Sequence, residues 1–164
     1  MREPNEVVRP TNDVVPATVN WKAAILAGLI AGAVFMMLEM IMVPLFMPDG
    51  SPWGPPRMIA AIGMGKEVLP PPATFALMPV MVAMIIHFPL SIIFAVILAF
   101  MISRFGLGIA VLIGAVFGLA LYFVNFYGFT AIFPWFAMAR GWVSIFAHIV
   151  FGAAAAWAYK ALAR

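Results

Sequence analysis

The sequence predicts an all-α membrane protein: a four-transmembrane-helix bundle of two parallel helical-hairpin repeats, with N- and C-termini cytoplasmic. Three observations predict it. First, 66% of the 164 residues are hydrophobic and only 9% are charged, against about 25% charged in an ordinary soluble domain. A chain this short has too much surface to hide so much apolar side chain in a soluble fold. Second, four apolar runs follow one another, each long enough to cross a bilayer with about 20 residues. Third, basic residues divide unevenly between the alternate ends of those runs. Arg2, Arg9, Lys22, Arg104, Lys160 and Arg164 fall on one side, and Arg57, Lys66 and Arg140 on the other. The richer side is the cytoplasmic one.

Taken in order, residues 1–20 form a polar tail interrupted by Pro4, Pro10 and Pro16. No apolar core precedes them, so they do not read as a cleaved signal peptide. A flexible cytoplasmic tail is the expected state.

The first span covers about 21–43. Trp21 and Lys22 make an aromatic-plus-basic anchor at the interface, and Pro44 and Pro48 are expected to end the helix because proline breaks the hydrogen-bond ladder. Ala24, Gly28, Gly32 and Glu39 recur at steps of four and seven, so they share one face. Such a small-residue stripe lets a neighbouring helix approach closely.

The outer loop, 44–74, is rich in proline and glycine at both ends. Within it, 56–69 can form a short amphipathic helix, with Met58, Ile59, Ile62 and Val68 opposite Arg57, Lys66 and Glu67. It would serve as a plain lid on the bundle end or as a gate to the polar residues below.

The second span, about 75–102, carries Pro79, His87, Pro89 and Ser91. Pro89 should kink it beside His87. The tight turn Ser103–Arg104–Phe105–Gly106 makes the second and third spans antiparallel neighbours.

The third span, about 107–126, repeats the stripe of the first as Ala110, Gly114, Gly118 and Asn125. The second outer loop is aromatic, with Phe129, Phe133, Trp135 and Phe136 suited to an interfacial belt. The fourth span, about 141–162, places Ser144, His148 and Gly152 on one face.

Glu39, His87, Asn125 and His148 are polar groups inside apolar spans, one per span. At about 1.5 Å per residue, Glu39 and His87 lie about 25 Å above Lys22 and Arg104, Asn125 about 28 Å above Gly106, and His148 about 18 Å above Lys160. All four therefore fall in the outer half of the bilayer. An intramembrane carboxylate is costly and marks a functional candidate. Two histidines and a carboxylate on different helices suit a transition metal, with Glu39, His87 and His148 as the ligands. No spacing such as H-x3-H reinforces that reading, and one histidine pair lacks any further haem signature. The expectation is therefore no cofactor. Proton handling by Glu39 and its neighbours is a third option. The plain alternative is polar glue, interhelical hydrogen bonds of about 0.6–2 kcal/mol each. Ser91 and Ser144 would support the cluster, and Arg140 would either pair with Glu39 or meet lipid phosphate, the latter being favoured.

Other chemistry is excluded or muted. The absence of cysteine removes disulfides, Fe–S clusters and Cys-ligated zinc. A net charge of +3 is too small and scattered for nucleic acid. The 13 methionines are spread along apolar runs and read as packing, with Met36, Met37, Met40 and Met42 around Glu39 the exception. No phosphate loop, nucleophile elbow or hydrolase carboxylate pair is present, so the chain reads as non-enzymatic.

These residues carry a distant resemblance to the YagU family of bacterial inner-membrane proteins, whose biochemical function is not established. The resemblance runs from about Gly28 to Trp157. It rests on Glu39 and Pro44 at the exit of the first span, and on His87, Ser91, Ile92, Phe94, Ala95 and Val96 in the second. In the third it covers Phe123, Val124 and Asn125, and in the fourth Ser144, Ile145, Phe146 and His148. The family pattern has a histidine where this chain has Asn125. That departure weakens a multi-histidine metal site, because asparagine is a poor ligand for transition metals. The resemblance implies the bacterial inner membrane and a role in acid or envelope stress. The expected function is thus a non-enzymatic inner-membrane protein with a polar site handling protons or metal. The alternative is an accessory structural subunit of a larger respiratory or oxygenase complex, suggested by small size, two packing stripes and a proline-rich tail. Lipid, and either further copies of the chain or the subunits of such a complex, are the expected partners.

Overall fold

The computed structural model describes residues 18–164; residues 1–17 of the expected tail lie outside the described residues. Among the described residues the chain is helical and contains no strand. Five α-helices form: α1 (Trp21–Phe46), α2 (Gly54–Met64), α3 (Leu77–Ile102), α4 (Leu107–Phe123) and α5 (Trp142–Leu162). The α1, α3 and α5 helices, and α4 with its continuation to Ala131, are long and apolar enough to cross a membrane.

Local chemistry accounts for the ends of these helices. Asn20 caps α1, its side-chain oxygen accepting from Ala23 N–H at 3.1 Å, which satisfies a donor that the helix cannot pair internally. The expected stop at Pro44 is not observed. The α1 helix runs through Pro44 to Phe46. A proline in the last turn removes only the bond to the Met40 carbonyl, and the flanking ladder holds. In α3, Pro79 occupies the first turn, where a missing N–H costs little, and Pro89 is carried within an unbroken helix. At its far end α4 passes into a π-helical turn, Val124–Gly128, and then into short 3-10 turns.

The lateral order differs from the expectation drawn from the tight turn. The most extensive packing is α4 on α5, then α1 on α5, then α1 on α3. Although the turn at Ser103–Gly106 joins them, α3 and α4 touch little. The small-residue faces decide this order. On α1, Gly28 meets the Ile92 backbone of α3, where an added Cβ would sit 2.6 Å from Cα. On α4, Gly114 and Gly118 abut the Gly152 and His148 carbonyls of α5. Backbones this close gain van der Waals contact that no larger residue allows, and such packing holds membrane helices together where the hydrophobic effect does not.

The two ends of the bundle differ in density. Ala23, Ala24, Ala27, Ala31, Ala95, Ala99 and Ala110 pack with Leu98, Ile102 and Ala155 to close the end where α1 begins and α5 finishes. There Asn20 N–H donates to Tyr159 Oη at 3.3 Å, and Lys160 Nζ donates to the Ser103 carbonyl at 3.1 Å. The opposite end is covered by the long loop. Its helix, α2, packs mainly on α3, and Arg57 donates to the carbonyls of Val68 (3.0 Å) and Thr74 (3.0 and 3.2 Å). Trp135 Nε1 donates to the Met58 carbonyl at 3.0 Å, tying the second loop to this cover.

Gly114→Leu should lower stability by about 1–3 kcal/mol or more, because a packed interface must open. Gly108→Ala, in the same helix but with nothing near its Cβ position, should be neutral or stabilising by about 1 kcal/mol or less. Thermal unfolding in detergent measures both; equal effects would show that α4 does not meet α5 through its glycines.

Candidate functional site

At the covered end the helices enclose a cavity of about 870 Å³. The α1 helix contributes Phe35 and Glu39, and α3 contributes His87 and Ser91. Asn125 enters from the π-helical turn after α4, and Ser144 and His148 from α5. All four polar residues of the spans thus line one space, together with the two serines. Most of the remaining wall is apolar and aromatic, including Phe94, Phe126, Phe133 and Phe136. No lysine or arginine among the described residues lines it.

The two imidazoles are held differently. His87 Nε2 lies 2.9 Å from the Gly32 carbonyl and donates to it, since a carbonyl only accepts. That fixes the proton on Nε2 and leaves the Nδ1 lone pair without a hydrogen-bond donor among the described residues. Ser91 Oγ donates to the His87 carbonyl at 2.9 Å and sits 3.4 Å from Nε2. Gly32 makes this contact possible, because a Cβ there would lie 2.7 Å from Ser91 Oγ.

His148 has both nitrogens occupied. Nδ1 donates to the Ser144 carbonyl at 2.7 Å, and Nε2 accepts from the Asn125 amide at 3.1 Å. The π-helical turn places Asn125 for this bond; such turns recur where a helix must re-aim one side chain. Phe35 packs against both rings, with centroids 5.6 Å from His87 and 4.8 Å from His148.

Glu39 is the unsatisfied member. It is 5% exposed, and its Oε1 has no hydrogen-bond partner among the described residues. Ser144 lines the same cavity, yet Oε1 has no hydrogen-bond partner there. An orphaned buried oxygen on a cavity wall is unusual and calls for an explanation such as a ligand or a proton.

The metal reading loses support from the donor set. Among the described residues no group of three His, Asp or Glu side chains is placed to hold a metal ion. The Asn125 amide takes the His148 lone pair, and Phe35 packs on both imidazoles, where a bis-histidine haem would have to enter.

Arg140 does not pair with Glu39; it is exposed and holds the end of α4. Its Nε donates to the Phe126 carbonyl at 2.7 Å, its Nη2 to Thr130 Oγ1 at 3.1 Å, and its guanidinium lies 4.2 Å from the Tyr127 ring centroid. The end of α4 leaves carbonyls without helical partners, and a planar five-donor fork satisfies one of them.

Asp49 was not legible as a site residue. It lines the cavity from an exposed position with φ of 55°. Its sequence signal, Asp-Gly after a proline, marks a turn, and only the folding of the loop over the bundle brings it to the cavity. Phe35 likewise reads as ordinary core until both imidazoles pack on it.

The chain matches no protein-family model, no curated protein and no solved structure.

Asn125→Leu should leave His148 Nε2 without its donor and lower stability by about 0.6–2 kcal/mol. Unfolding of the purified variant in detergent reads this. An unchanged midpoint would show that the amide–imidazole bond carries no weight.

Proposed function

We propose that this chain is a non-enzymatic, multi-pass protein of the bacterial inner membrane that handles protons at an intramembrane site built on Glu39. The observation that carries the reading is the buried, unpartnered Oε1 of Glu39 on the wall of the shared cavity. A carboxyl group in that position either takes up a proton or waits for a cation. Intramembrane acids that face a cavity are the usual seats of proton transfer. His87 is the second proton acceptor, through Nδ1. His148 and Asn125 form the fixed wall against which these two act. The resemblance to the YagU family supplies acid or envelope stress as the setting in which such a site works.

The excess of basic residues beside the termini supports placing both in the cytoplasm. The cavity, at the other end of the spans, then opens in the outer half of the bilayer. Two hairpins in parallel repeat, each followed or spanned by an outer loop, fit this arrangement. A reporter fused after Arg164 should be active only if its folding requires the cytoplasm. Activity of a periplasm-dependent reporter at that position would reverse the orientation and put the site in the inner half.

Infrared difference spectra of the purified protein across pH should contain a carboxyl band that Glu39→Gln removes. The variant should still insert and unfold as the wild type does. A pH-difference spectrum unaltered by Glu39→Gln would overturn proton handling at this residue.

A further inference from the structure

We propose that the cavity binds lipophilic organic cations, of the bulky ammonium or phosphonium kind, and that each cation entering displaces a proton from Glu39. The inference rests on the reading of Glu39 as a proton-handling group and adds the class of its competing ligand.

Four features of the cavity select this class. The first is charge. Glu39 and Asp49 are the acidic residues of the lining, and no lysine or arginine among the described residues joins them. An anion would face two carboxylates with nothing to receive it. The second is hydrogen-bond polarity. The unpartnered Oε1 of Glu39 accepts when ionised, and His87 Nδ1 accepts once Nε2 has donated to Gly32. The groups left open in the wall therefore ask for positive charge or for donors.

The third feature is size. About 870 Å³ lies within the range of drug-sized ligand sites, about 300–1,000 Å³. A bare metal ion would fill little of it and would find no set of three His, Asp or Glu ligands among the described residues. The fourth is the wall. Phe35, Phe94, Phe126, Phe133 and Phe136 line the cavity with the acid, and aromatic faces attract a diffuse cation while their area buries its hydrocarbon. A small hydrated cation gains nothing from such a wall.

The two carboxylates also define a route. Asp49 is exposed and Glu39 is buried, and both line the same cavity. A cation meets Asp49 first and Glu39 after losing its water. At Glu39 the carboxyl proton leaves to bulk water as the cation's charge takes its place. One negative charge cannot hold both in a site of this polarity.

The test uses an isosteric pair of probes, tetraphenylphosphonium and tetraphenylborate, titrated calorimetrically into the full-length protein in detergent. The phosphonium should saturate at one site per chain and the borate should not. Titration in buffers of different ionisation heat should show proton release with the phosphonium. Glu39→Gln should weaken phosphonium binding about tenfold or more, as expected when a desolvated charge partner is removed. Asp49→Asn suits the same left-handed turn and should weaken phosphonium binding severalfold by slowing association without disturbing the core, so it tests the proposal even if Glu39→Gln misfolds. Equal binding of both probes, non-saturable partition alone, or full phosphonium affinity in both variants would overturn the proposal. The two readings fail separately. A site that prefers phosphonium but releases no proton removes the exchange and the proton reading of Glu39. A titrating carboxyl band with no preference between probes leaves that reading and removes the cation.

Discussion

The arrangement of this molecule follows from one constraint: a carboxyl group placed in an apolar helix must be solvated by something other than lipid. Placing an acid at the centre of a spanning helix costs on the order of 2.5–3.5 kcal/mol on insertion scales. The chain meets that demand by turning Glu39 inward, on the same face of α1 as Ala24, Gly28 and Gly32. The glycines bring α3 close, the closeness puts His87 against the Gly32 carbonyl, and the imidazole becomes part of the wall that the acid faces. One helical face thus performs packing in its first half and holds a polar group in its second.

The contrast between the two ends of the bundle has a physical basis. In lipid the helices gain little from burying apolar area, because the tails are as apolar as leucine; they gain from close contact. The alanine-rich end achieves contact and fixes the helices laterally. The other end gives up contact around the cavity and loses the associated dispersion energy. The cover recovers part of it. Arg57 and Trp135 tie loop carbonyls together, and Arg140 satisfies the Phe126 carbonyl where α4 leaves regular geometry. A dense base and a tied lid are what allow a space to persist between them.

Much of this was legible along the chain and little of it across the chain. The apolar runs are unmistakable because a bilayer sets their length. The heights of Glu39, His87, Asn125 and His148 can be counted because helical rise is fixed. The glycine stripes announce which faces pack. Lateral order is another matter. The turn at Ser103–Gly106 suggests that α3 and α4 are neighbours, whereas the depth of contact at Gly114, Gly118 and Gly152 commits α4 to α5 instead. Loop sequence specifies a length of connection, not a preferred surface. Pro44 misleads for a related reason: the rule that ends helices at proline concerns a ladder with more turns to come, and here only Leu45 and Phe46 follow within the helix. The bond from Arg140 to the Phe126 carbonyl was not legible, because carbonyls freed by a π-helical turn leave no trace in composition.

The polar residues of the spans divide into two kinds once their hydrogen bonds are counted, and the division bears on whether they are glue or site. Asn125 satisfies one nitrogen of His148, and the remaining imidazole nitrogen is bonded to its own helix at Ser144. Nothing more is required of them than to hold α4 to α5, which is what glue does. His87 spends one nitrogen on Gly32 and keeps the other lone pair. Glu39 spends no bond on Oε1 at all. Glue that leaves a buried oxygen unbonded is poor glue, since the desolvation cost of that oxygen is met by no contact. A glutamine there would have fixed register at less electrostatic cost, and a leucine would have packed better. An acid with an unbonded buried oxygen on an aromatic and aliphatic cavity wall therefore fits the proposed role of a site better than that of glue.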